Sequence, residues 1–272
     1  MYTYGLIGEK LGHSLSPDIH ELILRKLGIK ASYNLFEVKK DRLNDAVNGL
    51  KALNVKGVNV TIPYKVKVMP YLDEISEEAE KIGAINTIVI KDDKFLGYNT
   101  DYYGFGIMMK KFNISIKSKS FVILGSGGAS KAVFQYLKDN EAKEIIIVTR
   151  NEEEARSKFH NCKVMQYNDL KGLNSSEIII NCTPVGMYPN VLDCIVEKEV
   201  LRKFNVCIDL IYNPFETVFL KEARSFGNVS INGLYMLVGQ AIKAEELWNN
   251  VKFDVKIIDE IYSELLKDMY EL

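Results

Sequence analysis

Residues 122–137 read VILGSGGASKAVFQYL, and the reading of this stretch decides the fold. A glycine cluster stands directly after an apolar strand and directly before a helix. In that setting glycines allow a tight turn and let the backbone approach a pyrophosphate, which then sits on the helix N-terminus. Gly125 and Gly127 match the first two glycines of G-x-G-x-x-G, and Ser130 holds the third position, which usually takes Gly or Ala. Taken alone the motif is equally a plain structural turn. Its strand–turn–helix context favours a dinucleotide loop, with Gly125, Ser126, Gly127, Gly128 and Ala129 as its contacts.

The next predicted strand ends in IIIVTRNEEEAR, residues 145–156. Units that bind NAD place an acid here for the ribose 2′-hydroxyl, whereas this chain has Thr149, Arg150 and Asn151. A guanidinium suits a 2′-phosphate, since its planar fork matches phosphate oxygens. The other reading is an exposed arginine paired with Glu152, Glu153 or Glu154, which put negative charge where a phosphate wants none. NADP is the favoured cofactor.

Outward from the loop, strands are predicted at 120–125, 144–149, 177–181 and 205–211, with shorter ones near 163–167 and 228–231, and helices between them. Strand–helix alternation of this kind implies parallel pairing. Upstream, strands are predicted at 3–8, 33–38 and 57–62, with helices over 16–27 and 41–53, and residues 84–100 read as two strands around the turn KDDK. The first helix carries a start signal: Ser16 as N-cap, Pro17 at the first helical position and Asp18 in the first turn, with Gly28 to close it. In GVNVTI, Val58, Val60 and Ile62 alternate with Asn59 and Thr61, a pattern that buries one face and presents polar groups on the other. Pro63 then ends the strand. From Gly233 on, the chain reads as helical almost to its end.

The expected fold is therefore α/β with two domains and a deep cleft between them, since ligand sites favour domain interfaces. An N-terminal substrate domain with a mixed, mainly parallel sheet takes residues 1–101 plus 240–272. A Rossmann-type, doubly wound cofactor domain takes 102–239.

The 272 residues are 47% hydrophobic and 26% charged, with a net charge of −1. That is ordinary globular composition, and the near-neutral balance argues against a general nucleic-acid binder. The N-terminus shows no basic segment followed by a long apolar stretch, so no signal peptide is expected. The apolar runs are too short to span a bilayer; a cytoplasmic location is expected. Cys162, Cys182, Cys194 and Cys207 form no CxxC pair, and His13, His20 and His160 are scattered. Neither a metal site nor a disulfide is expected. His13 is assigned no catalytic role, His20 and His160 read as surface or packing residues, and Trp248 as core packing.

Eight stretches together carry a family likeness: GHSLSP (12–17), GVNVTIPYK (57–65), GAINT (83–87), GYNTD (97–101), GSGGAS (125–130), NCTPVGM (181–187), DLIYNP (209–214) and GLYMLVGQA (233–241). In this order and at these separations they resemble the shikimate dehydrogenase family over nearly the whole chain. The resemblance implies that Lys65 and Asp101 are the catalytic pair. It implies that Ser14 and Ser16 bind the substrate carboxylate, that Thr61, Asn86 and Gln240 hydrogen-bond the ring hydroxyls, and that Tyr212 stands near the carboxylate. Thr183, Gly233 and Met236 would lie near the nicotinamide. On the residues alone, Ser16 reads as an N-cap only, and Lys65 reads as a solvated surface charge sooner than a catalytic one. Two departures concern the cofactor: the family often reads Asn-Arg-Thr where this chain has Thr149-Arg150-Asn151, and often carries a further base where it has Glu154.

The implied reaction is reversible, NADPH-dependent reduction of 3-dehydroshikimate to shikimate, with a small-molecule substrate, no nucleic acid, no membrane, and a monomer or homodimer as the working unit. Three alternatives remain open at this point: a quinate/shikimate dehydrogenase using NAD, a methylenetetrahydrofolate dehydrogenase-like enzyme, and a non-catalytic nucleotide-binding module.

Overall fold

The computed structural model describes residues 2–12, 14–173 and 176–270. His13 therefore lies outside the described residues. The chain divides into two compact units, one of residues 1–104 and 238–272, the other of residues 105–237.

The first unit alternates strand and helix: β1 (Tyr2–Gly8), α1 (Ser16–Lys26), β2 (Ala31–Glu37), α2 (Leu43–Ala52), β3 (Gly57–Val60), β4 (Glu74–Ile75), α3 (Glu77–Ile82), β5 (Thr87–Lys91) and β6 (Lys94–Tyr98). Helix α4 (Thr100–Lys111) follows, and the division between the units falls within it. The sheet order is β2-β1-β3-β5-β6-β4. Strand β1 pairs parallel with β2 and β3, β5 runs antiparallel to β3 and β6, and β4 is parallel to β6. The β5–β6 hairpin closes through Asp92 and Asp93, both with positive φ (51° and 59°). Two left-handed residues give the turn a twist that matches its strands. Val47, Val58, Val60, Tyr64, Ile85 and Ile88 form the centre of this core, each 1% exposed or less.

The second unit is β7 (Ser120–Leu124), α5 (Gly128–Asp139), β8 (Glu144–Val148), α6 (Glu152–Lys158), β9 (Lys163–Met165), β10 (Ile178–Asn181), α7 (Lys198–Leu201), β11 (Val206–Asp209), α8 (Val218–Ser225) and β12 (Val229–Asn232). Every pairing is parallel, in the order β12-β11-β10-β7-β8-β9. Counted within the unit this is 3-2-1-4-5-6 read from the far edge, the doubly wound arrangement in which strand order reverses beside the first strand. Such strands are buried on both faces, so apolar runs such as Ile145–Val148 and Ile178–Ile180 show no alternation. Helix α9 (Leu234–Asn249) carries the chain from one unit to the other in sequence, and α10 (Val255–Tyr270) ends it. No helix among the described residues is long and apolar enough to cross a membrane.

Three local expectations are corrected. The strand read over 57–62 stops at Val60, and Ile62 is 75% exposed instead of sharing the buried face of Val58 and Val60. The reason lies in the pairing: β3 is flanked by β1 and β5 only as far as Val60, after which the Thr61 carbonyl accepts from Tyr64 N in a turn. Asn59 is also buried, at 5%, so the strand has no solvent face. Ser16 is not an N-cap: the helix already includes it, Leu15 occupies the cap position in helical conformation, and no side chain caps. Residues 41–53 split into a 3-10 turn, Lys40–Arg42, followed by α2.

Candidate active site

The turn after β3 delivers Lys65, and the first turn of α4 delivers Asp101. Their side chains meet at 2.5 Å, Lys65 Nζ donating to Asp101 Oδ2, with side-chain exposures of 18% and 12%. Lys65 is held at its backbone, whose carbonyl accepts from Ile85 N at 2.7 Å. The other carboxylate oxygen accepts from Asn86 Nδ2 at 2.9 Å. Asn86 is itself fixed: its Oδ1 takes the backbone N–H of Thr100 at 2.6 Å and the Thr87 hydroxyl at 3.0 Å. Asn99 donates to the Ala84 carbonyl at 2.9 Å and so ties the start of α4 to the segment before β5 that carries Asn86. An ammonium and a carboxylate paired this way, partly open to solvent, can pass a proton to or from an oxygen placed beside the lysine.

Ser14 and Ser16 form the second part of the site. Ser14 Oγ donates to Ser16 Oγ at 3.1 Å and accepts from Ser16 N at 3.2 Å. Since neither serine caps the helix, both hydroxyls remain half-buried and available at its N-terminal end, where a negative charge is stabilised. Thr61 is half-buried and packs its methyl beside Gly8. Gln240 reaches the site from α9, with Thr100 Oγ1 at 3.4 Å from its Oε1. Ser14, Ser16, Thr61, Lys65, Asn86, Asp101 and Gln240 all belong to the first unit.

Of the substrate residues expected from sequence, Tyr212 alone sits in the second unit, after β11 and half-buried, so that burial raises its phenol.

In the second unit the glycine loop joins β7 to α5. Gly125 has φ +99°, a conformation side chains resist, and a Cβ there would come within 2.8 Å of Thr183 Cγ2. A Cβ at Gly127 meets nothing within 4 Å, which leaves the backbone at the mouth of α5 open to a ligand. Ser126 Oγ and Thr149 Oγ1 lie 3.1 Å apart and link the loop to the end of β8. Asn151 caps α6, its Oδ1 accepting from Glu154 N at 3.2 Å. Two of the three glutamates that compete for Arg150 in the sequence are engaged elsewhere: Glu152 pairs with Arg156 at 2.8 Å and Glu154 with Lys158. Arg150 is exposed, and among the described residues no ion pair engages it. An open loop, a helix N-terminus and a free guanidinium at the strand end fit a pyrophosphate with a 2′-phosphate.

Thr183 is held by Asn181, whose Oδ1 accepts from its N–H at 3.0 Å and its hydroxyl at 2.7 Å. Asn181 in turn donates to buried Asp209 at 3.0 Å, and Asp209 also accepts from Ile211 N at 3.1 Å and Thr217 Oγ1 at 2.6 Å. Burial pushes the Asp209 carboxyl up to about 7, against those three donors. Gly233 has a packing reason for being glycine, because a Cβ there would stand 2.0 Å from the Leu210 carbonyl oxygen. Met236 is 7% exposed.

Sequence reading missed several groups of this framework. His20, read as surface or packing, is wholly buried and hydrogen-bonded to Glu245, Nδ1 to Oε1 2.7 Å. Trp248 stacks on Tyr4 at 4.8 Å and donates to the Ile88 carbonyl at 3.0 Å, so it is a packing residue with a fixed polar partner. Asn59, Thr87, Thr100 and Asp209 were detectable as polar residues in or beside apolar runs, the usual sign of a buried polar network. His160 is exposed. The four cysteines are free thiols, and no group of three or more His, Cys, Asp or Glu among the described residues is placed to hold a metal.

A family model described as the shikimate dehydrogenase substrate binding domain matches residues 6–88, and one described as shikimate / quinate 5-dehydrogenase matches residues 107–205. The chain is 52% identical over 267 residues to a shikimate dehydrogenase (NADP(+)) of Clostridium perfringens, covering 97% of this chain and 98% of that protein. It is 42% identical over 256 residues to the protein of the same name from Clostridium botulinum, covering 93% and 99%. Among solved structures, a chorismate mutase/shikimate 5-dehydrogenase fusion protein from Clostridium acetobutylicum superposes with a TM-score of 0.96 at 53% identity, covering 99% of this chain and 98% of that one. A shikimate 5-dehydrogenase from Thermus thermophilus, in complex with NADP(H) and shikimate, gives 0.86 at 28% identity, covering 97% and 99%.

Proposed function

We propose that in this chain, which belongs to the shikimate dehydrogenase family, Lys65 and Asp101 handle the proton of a reversible, NADPH-dependent reduction of 3-dehydroshikimate to shikimate. The chain is an NADP-dependent oxidoreductase acting on a CH–OH group. One observation carries the assignment of roles: an ammonium and a carboxylate 36 positions apart meet at 2.5 Å and are flanked by a fixed amide.

Arg150 and the Gly125–Ala129 loop are the groups that would hold the dinucleotide, with Thr149, Asn151 and Thr183 beside them; Gly233 and Met236 complete the family set. Hydride transfer is the chemistry that the nicotinamide supplies when bound. As the carbonyl carbon is reduced, its oxygen takes on alkoxide character, and Lys65 donates the proton that neutralises it. In the oxidative direction the lysine, as a free amine, takes the same proton from the substrate hydroxyl. Asp101 accepts from Lys65 on one oxygen and from Asn86 on the other, so the ammonium is aimed rather than left to rotate. Positioned acid–base help of this kind is worth roughly a hundred- to ten-thousand-fold in rate. Ser14 and Ser16 bind the ring carboxylate, Thr61, Asn86 and Gln240 orient the hydroxyls, and Tyr212 completes the carboxylate end. On this reading residues 1–101 and 240–272 form the substrate domain and 102–239 the NADP domain, acting in the cytoplasm as a monomer or homodimer.

The test is an activity matrix of shikimate or quinate against NADP or NAD, for the wild-type chain and Lys65→Ala. Turnover of shikimate with NADP that drops at least a hundredfold in the variant is the expected result; turnover that survives in Lys65→Ala removes the lysine from the mechanism.

A further inference from the structure

Thr87 is a wholly buried polar side chain to which the reaction as described gives no part. It is the first residue of β5 and stands opposite Asn59 of β3 in the sheet register. Its hydroxyl accepts from Asn59 Nδ2 at 3.0 Å and donates to Asn86 Oδ1 at 3.0 Å. Asn86 is the amide that donates to Asp101 Oδ1 at 2.9 Å. One side chain therefore separates Thr87 from the acid–base pair, and all of these residues belong to the first unit.

Two backbone groups dictate which way each amide faces. The Thr100 N–H can only donate, and it lies 2.6 Å from Asn86 Oδ1, so Asn86 presents its nitrogen to Asp101. The Asn86 carbonyl can only accept, and Asn59 Nδ2 lies 3.4 Å from it, so Asn59 presents its nitrogen to Thr87 as well. On its other side Asn59 Oδ1 accepts from the Tyr33 hydroxyl at 2.8 Å. Asn86 Oδ1 has two lone pairs: the Thr100 N–H takes one and the single Thr87 proton the other. The Thr100 hydroxyl accepts from Asn86 Nδ2 at 3.0 Å and gives its own proton to Gln240 Oε1 at 3.4 Å. Thr100 Oγ1 is also 3.2 Å from Asn86 Oδ1 and 3.1 Å from Thr87 Oγ1, bonds it can donate to only by giving up Gln240. Every donor then has one acceptor, and a buried network satisfied in this way is rigid.

We propose that Thr87 is a positioning residue for the acid–base pair: by holding Asn86 Oδ1 it keeps the amide nitrogen on Asp101 and leaves the Thr100 hydroxyl for Gln240. The proposal rests on the reading of Lys65 and Asp101 as the proton-handling pair and of Asn86 and Gln240 as groups for the substrate hydroxyls. Without the Thr87 hydroxyl, Asn59 Nδ2 keeps only its long bond to the Asn86 carbonyl, a costly state for a buried donor. Asn86 Oδ1 then either loses a donor or draws Thr100 away from Gln240. Both outcomes weaken the handling of shikimate, and neither involves a residue of the glycine loop.

Steady-state kinetics of Thr87→Val, Thr87→Ser, Asn86→Ala and the Asn86→Ala/Thr87→Val double variant test this, with shikimate and NADP as substrates. Expected for Thr87→Val is a kcat/KM for shikimate lowered about tenfold, the size of one buried hydrogen bond, with KM for NADP unchanged. Thr87→Ser keeps the hydroxyl and should stay within about twofold of wild type. In the Asn86→Ala background Thr87 has lost the amide it acts through, so adding Thr87→Val should change kcat/KM by less than about twofold. Thr87→Ala removes the same hydroxyl without setting a methyl group against Asn59, and repeats the measurement if the valine variant does not fold. Wild-type kcat/KM in the variant lacking the hydroxyl overturns the proposal, as does its full effect in the Asn86→Ala background. A Thr87→Ser as slow as Thr87→Val overturns it too, since packing and not the hydroxyl would then be what counts. An unaltered kcat in Asp101→Asn overturns the reading of the acid–base pair itself, and with it the role of Thr87 as its positioner.

Discussion

Lys65 Nζ lies 2.5 Å from Asp101 Oδ2, although the two residues are separated by three strands, β4, β5 and β6, and the short helix α3. The pair exists because β5 and β6 fold back as a hairpin beside β3, which returns the chain to the end of the sheet where the Lys65 turn begins. Asp101→Asn keeps the shape but loses the charge that aims the ammonium. We expect kcat to fall by roughly ten- to a thousandfold while KM for NADP stays unchanged; stopped assays of shikimate oxidation check it, and an unchanged kcat would show that Lys65 is aimed by other means.

Arg150 is free of the neighbouring glutamates because Arg156 and Lys158 engage two of them. Charge-assisted hydrogen bonds are worth about 1.5–3 kcal/mol, so Arg150→Ala should raise KM for NADP by about ten- to a hundredfold. KM for NAD should barely move. Arg156→Ala is the contrasting variant, since that side chain already serves Glu152 and the Val164 carbonyl. Equal effects of both variants on NADP would show a diffuse basic surface in place of a phosphate clamp.

Asp209 couples stability to pH. Its carboxyl titrates near 3.8 in an unfolded chain and near 7 when folded, raised by burial. Between those values the folded state holds a proton that the unfolded state has released. The stability it contributes is therefore full at low pH and is lost as pH rises through about 7. Asp209→Asn removes this dependence. From pH 5 to pH 8 the stability of the variant relative to wild type should improve by on the order of 2 kcal/mol. Urea midpoints of both proteins at the two pH values measure it; parallel pH dependences would place the titration elsewhere.

Two glycine-to-alanine changes should act with opposite sign. At Gly57 a Cβ would fall 2.1 Å from Trp248 Nε1, displacing the indole that donates to the Ile88 carbonyl. A loss of about 1–3 kcal/mol is expected from this overpacking. Gly49, inside α2, has nothing within 4 Å of the same atom, so Gly49→Ala should gain about 0.5–1 kcal/mol. Thermal melts of the two variants decide it, and destabilisation at both positions would contradict the packing described.

The elements that were legible in the sequence are those whose cause is local. The KDDK turn, the glycine-rich loop, the helix-opening Pro17 and the apolar run of β7 announce themselves within a few residues. Ile62 was misread because alternation continues in the sequence past the point where β3 loses a neighbouring strand. Ser16 was misread because serine before proline is a good cap, while the observed helix begins one residue earlier and leaves the hydroxyl unused. His20 and Glu245 carried no pattern at all. His20 and Glu245 are 225 positions apart, and no periodicity within α1 or α9 shows that they meet.

By itself the sequence determined the glycine loop, its strand and helix, the alternation that makes both units α/β, and the residue types needed for proton transfer and phosphate binding. These follow from backbone freedom at glycine, from hydrophobic periodicity and from side-chain chemistry, all of which act over short stretches. Tertiary structure alone decided which groups touch. It aimed Lys65 at Asp101 and buried Asp209 until its carboxyl favoured the neutral form. Each of these depends on distance and on exclusion of water, and both are set only when strands far apart in the chain close on a common core.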